Sequence, residues 1–438
     1  MKKLGNSNKK LGFISVYLLG VNGIIGSGIF LLPSKMYALS GIWSVAVIFF
    51  CALAALVLTL SYAELASRST GNGAAWLYAY DQFGEFAGFE VGLFIWLQGV
   101  VTISAETAAF LTALKLMVPQ LSDPFLYKAT GLAIILGLTV VGIMGNQVSK
   151  YANNIATVMK IGALITFVIG GLFFIKMMNF SQPVTHSLKD YNSAFNLIFY
   201  MFAGFSFLPV AATKMENPKK NLPRILLAVI ISVGVIYMIT MIVAIGVLGP
   251  EIVHNESPLA FAFAEKYGHI GRMIMSIGIL GSILGVAISL SYSTPYIASS
   301  LAREHQLLPA FFGKITKSGT PWVAVILTTC ICALLFLSGD YLFLVPCTVF
   351  ISLVQYVVTS FAAMKVKKKQ KDPKTATDGF NLPLGYTFPI LSLLICVYML
   401  MNFTQKVIIF GVTTIVVCVA FYFIYRYFKN KKTKTVAK

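Results

Sequence analysis

Twelve runs of apolar residues, most of them long enough to cross a lipid bilayer, fill nearly the whole of this 438-residue chain. They fall at 11–36, 42–65, 88–114, 125–143, 153–175, 193–213, 224–248, 271–301, 321–337, 341–362, 384–402 and 405–428. A crossing takes about 20 predominantly apolar residues. Only 11% of the residues are charged, against about 25% in a soluble domain, so most of the chain faces something other than water. The first run starts after ten residues with no small-residue cleavage site behind it, and reads as a retained helix rather than a secretory signal. The longest polar stretches (66–87, 176–192, 249–270, 302–320 and 363–383) are too short for a catalytic domain. Whatever the chain does, it does inside a bundle of helices.

The formal net charge of +19 invites a nucleic-acid reading, but the placement of the charges argues against it. With the N-terminus inside, Lys2, Lys3, Lys9, Lys10, Arg68, Lys150, Lys214, Lys219, Lys220, Arg224, Arg303, Lys314 and Lys317 all fall on the inner side, with the 365–374 cluster and the 426–438 tail. The outer side holds Lys35, Lys115, Lys128, Lys176, Lys189, Lys266, Arg272 and Lys406. This is the positive-inside asymmetry, and it puts both termini in the cytoplasm. The basic clusters beside the membrane suit anionic lipid. The six cysteines (Cys51, Cys330, Cys332, Cys347, Cys396 and Cys418) lie in apolar runs and read as small hydrophobes, neither disulfides nor metal ligands.

Two runs are interrupted. The first contains Gly23-Ile24-Ile25-Gly26-Ser27-Gly28-Ile29-Phe30, three glycines that each weaken a helix by about 1 kcal/mol relative to alanine. The sixth contains Ala203-Gly204-Phe205-Ser206-Phe207-Leu208-Pro209, whose proline removes a backbone donor. A bilayer tolerates such breaks where the freed backbone lines a cavity in the protein. Runs 1 and 6 head two five-helix blocks, and matched breaks in two halves point to an inverted-repeat transporter. The plainer reading is a pair of packing glycines.

Unwound segments expose N–H groups on one half-helix and C=O groups on the other. The first suit a carboxylate and the second an ammonium group. An α-amino acid carries both. The N–H groups of Ser27 and Gly28, with the Ser27 hydroxyl, are candidates for the carboxylate, and carbonyls near Ile24, Tyr200 and Ala203 for the amine.

GIIGSGIF at 23–30 with Leu31-Leu32-Pro33, Tyr62-Ala63-Glu64-Leu65, Phe202-Ala203-Gly204-Phe205 and Glu216-Asn217-Pro218-Lys219-Lys220-Asn221-Leu222-Pro223-Arg224 resemble segments of the amino acid–polyamine–organocation transporters, including the amino acid permease and basic amino acid–polyamine antiporter types. The resemblance covers nearly the whole chain. It implies an all-α integral membrane fold of about 12 transmembrane helices, a 5+5 inverted-repeat bundle with broken helices 1 and 6 and alternating access around them. The first repeat would take 11–175 and the second 193–362, with two accessory helices at 384–428 and a basic tail at 429–438. It also puts Gly26 and Gly204 in the binding region, makes Tyr200 an aromatic gate, and aligns Ser291 with the far end of the pocket. Ser206 stands where many members carry a carboxylate. His305-Gln306 and Thr70-Gly71-Asn72-Gly73 replace loop signatures of the family.

Two charged residues lie inside the spans. Lys160 in the fifth reads as a proton carrier taking the place of a bound cation, with partners at Ile24, Ile25 or Ser289; snorkelling to the inner surface is the alternative. A lysine at this point resembles that of proton-coupled family members. Glu106 in the third reads as a counter-charge for a cationic substrate, with proton carriage or a structural role as alternatives. Gln98 and Thr102 on the same helix are further pocket candidates. The four histidines lie in expected loops without metal-ligand spacing, and Gly26-Ser27-Gly28 lacks the Lys-Ser/Thr of a phosphate loop. No filter or charged ring of a channel appears. The expectation is a secondary transporter of the plasma membrane, not an enzyme, and it calls for no cofactor. It would move a cationic L-amino acid or derived amine by proton-coupled transport or exchange. A neutral amino acid permease and a non-transporting receptor are the alternatives.

Overall fold

The computed structural model describes residues 10–68, 74–144, 146–181, 186–316, 319–370, 379–382 and 384–436. Lys2, Lys3, Lys9, the Thr70–Gly73 signature, Lys317 and part of the 365–374 cluster lie outside the described residues. Among those described, the chain is α-helical with short 3₁₀ turns, and its one β-bridge pairs Leu11 with Met215.

In chain order the helices are α1 (Phe13–Ile24), α2 (Gly28–Leu31), α3 (Pro33–Ser40), α4 (Ser44–Arg68), α5 (Ala74–Phe83), α6 (Glu85–Lys115), α7 (Pro124–Met144) and α8 (Asn146–Leu172). Then come α9 (Leu188–Phe199), α10 (Pro218–Leu248), α11 (Pro258–Glu304), α12 (Trp322–Ser338), α13 (Tyr341–Gln370), α14 (Thr387–Met401) and α15 (Gln405–Val436). Eight helical stretches of the described residues have the length and apolarity of a membrane span, and Phe13–Ile24, Trp322–Ser338 and Thr387–Met401 are shorter apolar helices. The protein is a multi-pass membrane protein. The first and sixth expected runs are absent from the eight because each is cut by its own break.

The first run stops at Ile24, and Ile25 turns out of helix at ψ 101° before α2 begins at Gly28. The sixth run changes form instead. It leaves α9 at Phe199 and continues as a 3₁₀ segment over Tyr200–Lys214, with Pro209 inside it. Runs of 3₁₀ beyond 3–4 residues are uncommon because their hydrogen bonds are poorer, and a longer one marks a hinge or a strained sequence. α11 is two helices that meet at Gly268, where φ is 64° and ψ −151°, and the second of them is the expected eighth run. His269 therefore lies in helix α11 and not in a loop.

Packing is by facing small residues. A Cβ on Gly278 or Gly285 of α11 would collide with Ala163 or Ala156 of α8. Both pairs are seven residues apart, so they form one stripe along each helix. Such stripes let helices approach where lipid supplies no hydrophobic drive. α10 packs along α4, α13 along α6, and α1 lies against the 3₁₀ segment. That last contact brings the two breaks together. The Glu216 N–H donates to the Leu11 carbonyl at 3.0 Å, tying the entry of α1 to the exit of the 3₁₀ segment.

Candidate functional site

The breaks meet backbone to backbone. A Cβ at Gly204 would run into the Gly23 carbonyl oxygen and lie 2.9 Å from its carbon and 3.1 Å from Ile24 Cα. Only glycine allows this approach. The Tyr237 hydroxyl of α10 spans the joint, donating toward Met201 O at 3.0 Å and Ile24 O at 3.3 Å. Its single proton is placed between one carbonyl from each broken run.

Between the breaks lies a cavity of about 30 Å³, which holds a water or two and no amino acid. Gly23, Ile24, Gly26 and Gly28 line it from the first break and Tyr200, Met201, Ala203, Gly204 and Phe207 from the second. Gln98, Thr102 and Glu106 of α6 close one side, with Val286 and Leu290 of α11 and Thr348 of α13. The α6 residues are four apart and so share one helical face, the phase that the sequence left open. A larger apolar groove of about 720 Å³ lies between α4, α9 and α14, lined by residues such as Trp43, Phe50, Leu53 and Leu394 that are exposed on the outer face of the bundle. It offers few polar groups to a zwitterion.

Glu106 is 2% exposed. The Ser27 N–H points at both its carboxylate oxygens, at 3.3 Å each. The Ser27 hydroxyl donates to Oε1 at 3.0 Å and the Tyr200 hydroxyl at 3.1 Å. Since Ser27 spends its one proton there, the contact of its Oγ with the Tyr341 hydroxyl at 3.0 Å has Tyr341 as donor. A Cβ on Gly26 would stand 2.6 Å from Glu106 Oε1, so this glycine makes room for the carboxylate. Glu106 was expected to meet a substrate side chain, but in this structure it is turned onto the first break. Tyr200, expected as a gate, is tied to it.

Lys160 is fully buried, and its Nζ donates to Asn22 O and Asn22 Oδ1, both at 2.8 Å. The amine therefore meets the last turn of α1 short of the expected carbonyls of Ile24 and Ile25. The Ser289 hydroxyl was the other expected partner, and both Nζ bonds go to Asn22 instead. Snorkelling is inconsistent with this burial. Ser291 does not line the cavity. Its hydroxyl donates to Ile288 O at 2.9 Å, and its carbonyl lies 3.0 Å from where a Gly142 Cβ would be, so it faces α7. Val286 and Leu290 hold the cavity face of α11, and the next residue is turned about 100° away from it.

A buried polar chain runs on from the cavity. Gln98 Nε2 donates to Ala203 O at 3.3 Å, and Gln98 Oε1 accepts from Gln355 Nε2 and from Ser206 Oγ, the latter at 3.4 Å. Tyr62 donates to Gln355 Oε1 at 3.0 Å. Ser206, the departure from a carboxylate, thus binds an amide. Nearer the helix ends Glu64 stands 3.7 Å from both Arg68 and Lys367. Sequence reading missed Asn22, Tyr237, Tyr341 and Gln355. Nothing marks Tyr237 or Tyr341 among 20 tyrosines, because each matters only through its partner on another helix.

Two broken helices sealed around a small central cavity in a bundle of membrane-length helices define a membrane transporter rather than an enzyme. Residues 11–426 match the amino acid permease family, and the chain belongs to it. It is similar to three transporters of Bacillus subtilis: the branched-chain amino acid permease BcaP (25% identity, covering 95% of this chain and 93% of that one), the methylthioribose transporter (25%; 95% and 93%) and the serine/threonine exchanger SteT (27%; 88% and 89%).

Proposed function

We propose that this protein is a secondary transporter that carries a neutral L-amino acid across the plasma membrane by alternating access, with both termini in the cytoplasm. The reading rests above all on the direct apposition of the two breaks around one cavity, bridged by Tyr237. In the loaded state the substrate carboxylate sits on the N–H groups of Ser27 and Gly28. Its amine sits on carbonyls near Ile24, Tyr200 and Ala203. Its side chain points toward Thr102, Met201, Phe207, Val286 and Leu290, a wall of apolar and hydroxyl groups. The five-plus-five division, 11–175 and 193–362, gives each half one break at its head.

The geometry favours a neutral substrate over a cationic one. Glu106 is the carboxylate in the cavity wall, and Ser27 and Tyr200 already hold it. Two of the similar transporters are named for neutral amino acids, branched-chain in one and serine and threonine in the other. Lys160 is the coupling group in this reading. Its support is complete burial beside α1, where gain or loss of a proton acts directly on the helix that breaks.

The test is counterflow in proteoliposomes, loaded in turn with each unlabelled amino acid or amine while labelled leucine, serine and lysine uptake is followed. Uptake of leucine or serine driven by neutral amino acids supports the reading. Exchange confined to lysine, arginine, ornithine and their amines overturns it and returns Glu106 to the role of side-chain receptor. Binding of an amino acid without flux would make the protein a receptor.

A further inference from the structure

Two of the internal bonds at the proposed substrate positions follow one pattern, beside those of Tyr237 to Ile24 O and of Ser206 Oγ to Ala203 O. Where a substrate carboxylate would sit on the Ser27 N–H, a carboxylate already sits there, that of Glu106 at 3.3 Å. Where a substrate N–H donor would meet the Ala203 carbonyl, a side-chain N–H donor already does, that of Gln98 at 3.3 Å. Both side chains come from one face of α6, two turns apart, and they are 2% and 1% exposed. With about 30 Å³ of space left, an amino acid and these contacts do not fit together.

We infer that Glu106 and Gln98 act as an internal stand-in for the substrate, satisfying the two breaks in the empty carrier and giving way when an amino acid arrives. This rests on the reading of the breaks as the substrate's seat. The physical reason is the cost of unpaired backbone groups away from water, which an empty pair of breaks would otherwise incur. With both breaks satisfied from within, the unloaded protein can close and pass from one face of the membrane to the other. Net transport then runs alongside exchange. Each displaced group keeps a partner: Glu106 the Tyr200 hydroxyl, and Gln98 the amide of Gln355. Displacement therefore strands neither group. Glu106 and Gln98 are positioning residues in this scheme, acting through the breaks.

The test uses full-length protein carrying Glu106→Ala or Gln98→Met, which remove the acceptor and the donor outright. Affinity for the amino acid found by counterflow is measured by thermal-shift titration, and efflux into substrate-free medium is compared with exchange in proteoliposomes. A stand-in competes with substrate, so removing it tightens binding. The expected result is a Kd about tenfold lower, a lower melting temperature without substrate, a larger rise on saturation, and a fall in net efflux relative to exchange. A higher Kd with both fluxes falling in step would make the two residues direct substrate ligands and overturn the inference, as would an unchanged Kd and flux ratio. The measurements are repeated at several pH values without a gradient, because a proton-carrying role alone moves the pH profile and does not tighten binding. Gln98→Met leaves the Gln355 amide short of a partner; if that variant does not fold, Glu106→Ala decides the matter. A wild-type protein that binds no amino acid overturns the seat itself, a failure separate from tight wild-type binding that the variants leave unimproved.

Discussion

Replacing Gly204 with alanine adds one methyl group at the point where the two breaks touch. That carbon would stand 2.9 Å from the Gly23 carbonyl carbon and 3.1 Å from Ile24 Cα. Ordinary carbon–carbon contact lies at about 3.5–4.0 Å, so the strands of the joint must part by about 0.5–1 Å. Both sides are backbone, and no side chain can swing away. Overpacking of this kind costs about 1–3 kcal/mol, and the upper half of that range applies here. The same movement stretches the Tyr237 bonds, now 3.0 and 3.3 Å, past the usual hydrogen-bond limit. A penalty of about 2–3 kcal/mol falls on the closed joint of the empty carrier, so the melting temperature without substrate drops and affinity moves toward tighter binding. Gly137→Ala is the matched control. It sits on the exposed face of α7 with nothing near its Cβ, and should stabilise by up to about 1 kcal/mol. Thermal-shift titration of both variants reads melting temperature and Kd together. Wild-type affinity and stability in Gly204→Ala would refute the argument that the breaks are in tight contact.

Three further outcomes follow from the site and its edges. Tyr237→Phe removes the hydroxyl shared by Ile24 O and Met201 O and should cost about 1–2 kcal/mol, seen as a lower melting temperature of the empty protein; an unchanged value removes Tyr237 from the joint. Lys160→Ala should flatten the response of uptake to an imposed proton gradient, and uptake that still follows the gradient denies Lys160 the coupling role. Asp190 caps α9 in a reciprocal box with Ser187, and these bonds hold its carboxyl below the ordinary value of 3.8. A depressed folded value means the cap contributes fully above the ordinary value and is lost as pH falls through the lower one. Asp190→Ala should therefore speed hydrogen exchange at 188–191 at neutral pH, and the wild type should approach it only below about pH 4; equal protection at pH 7 would count against the cap.

Much of this protein is legible along its chain because the bilayer enforces local rules. An apolar run must be a helix, since lipid offers its backbone no partner. Glycines at 23, 26 and 28 mark the first break, whereas the sixth run leaves α-helix at Phe199, ten residues before Pro209. Lys160 and Glu106 stand out because charge inside a span is costly. What these residues touch is another matter. Ser291 faces α7 because a helix turns about 100° per residue, and no local rule fixes that phase. Lys160 reaches Asn22 instead of Ser289, and Glu106 folds onto Ser27, because helix packing set the distances. Tyr237 and Tyr341 acquire meaning only from partners 213 and 314 residues away in sequence. The sequence by itself determined a membrane bundle with two breaks. The tertiary structure alone decided that the breaks meet and which buried side chains satisfy them, since hydrogen-bond partners are chosen by proximity across helices, to which hydropathy and helix propensity are blind.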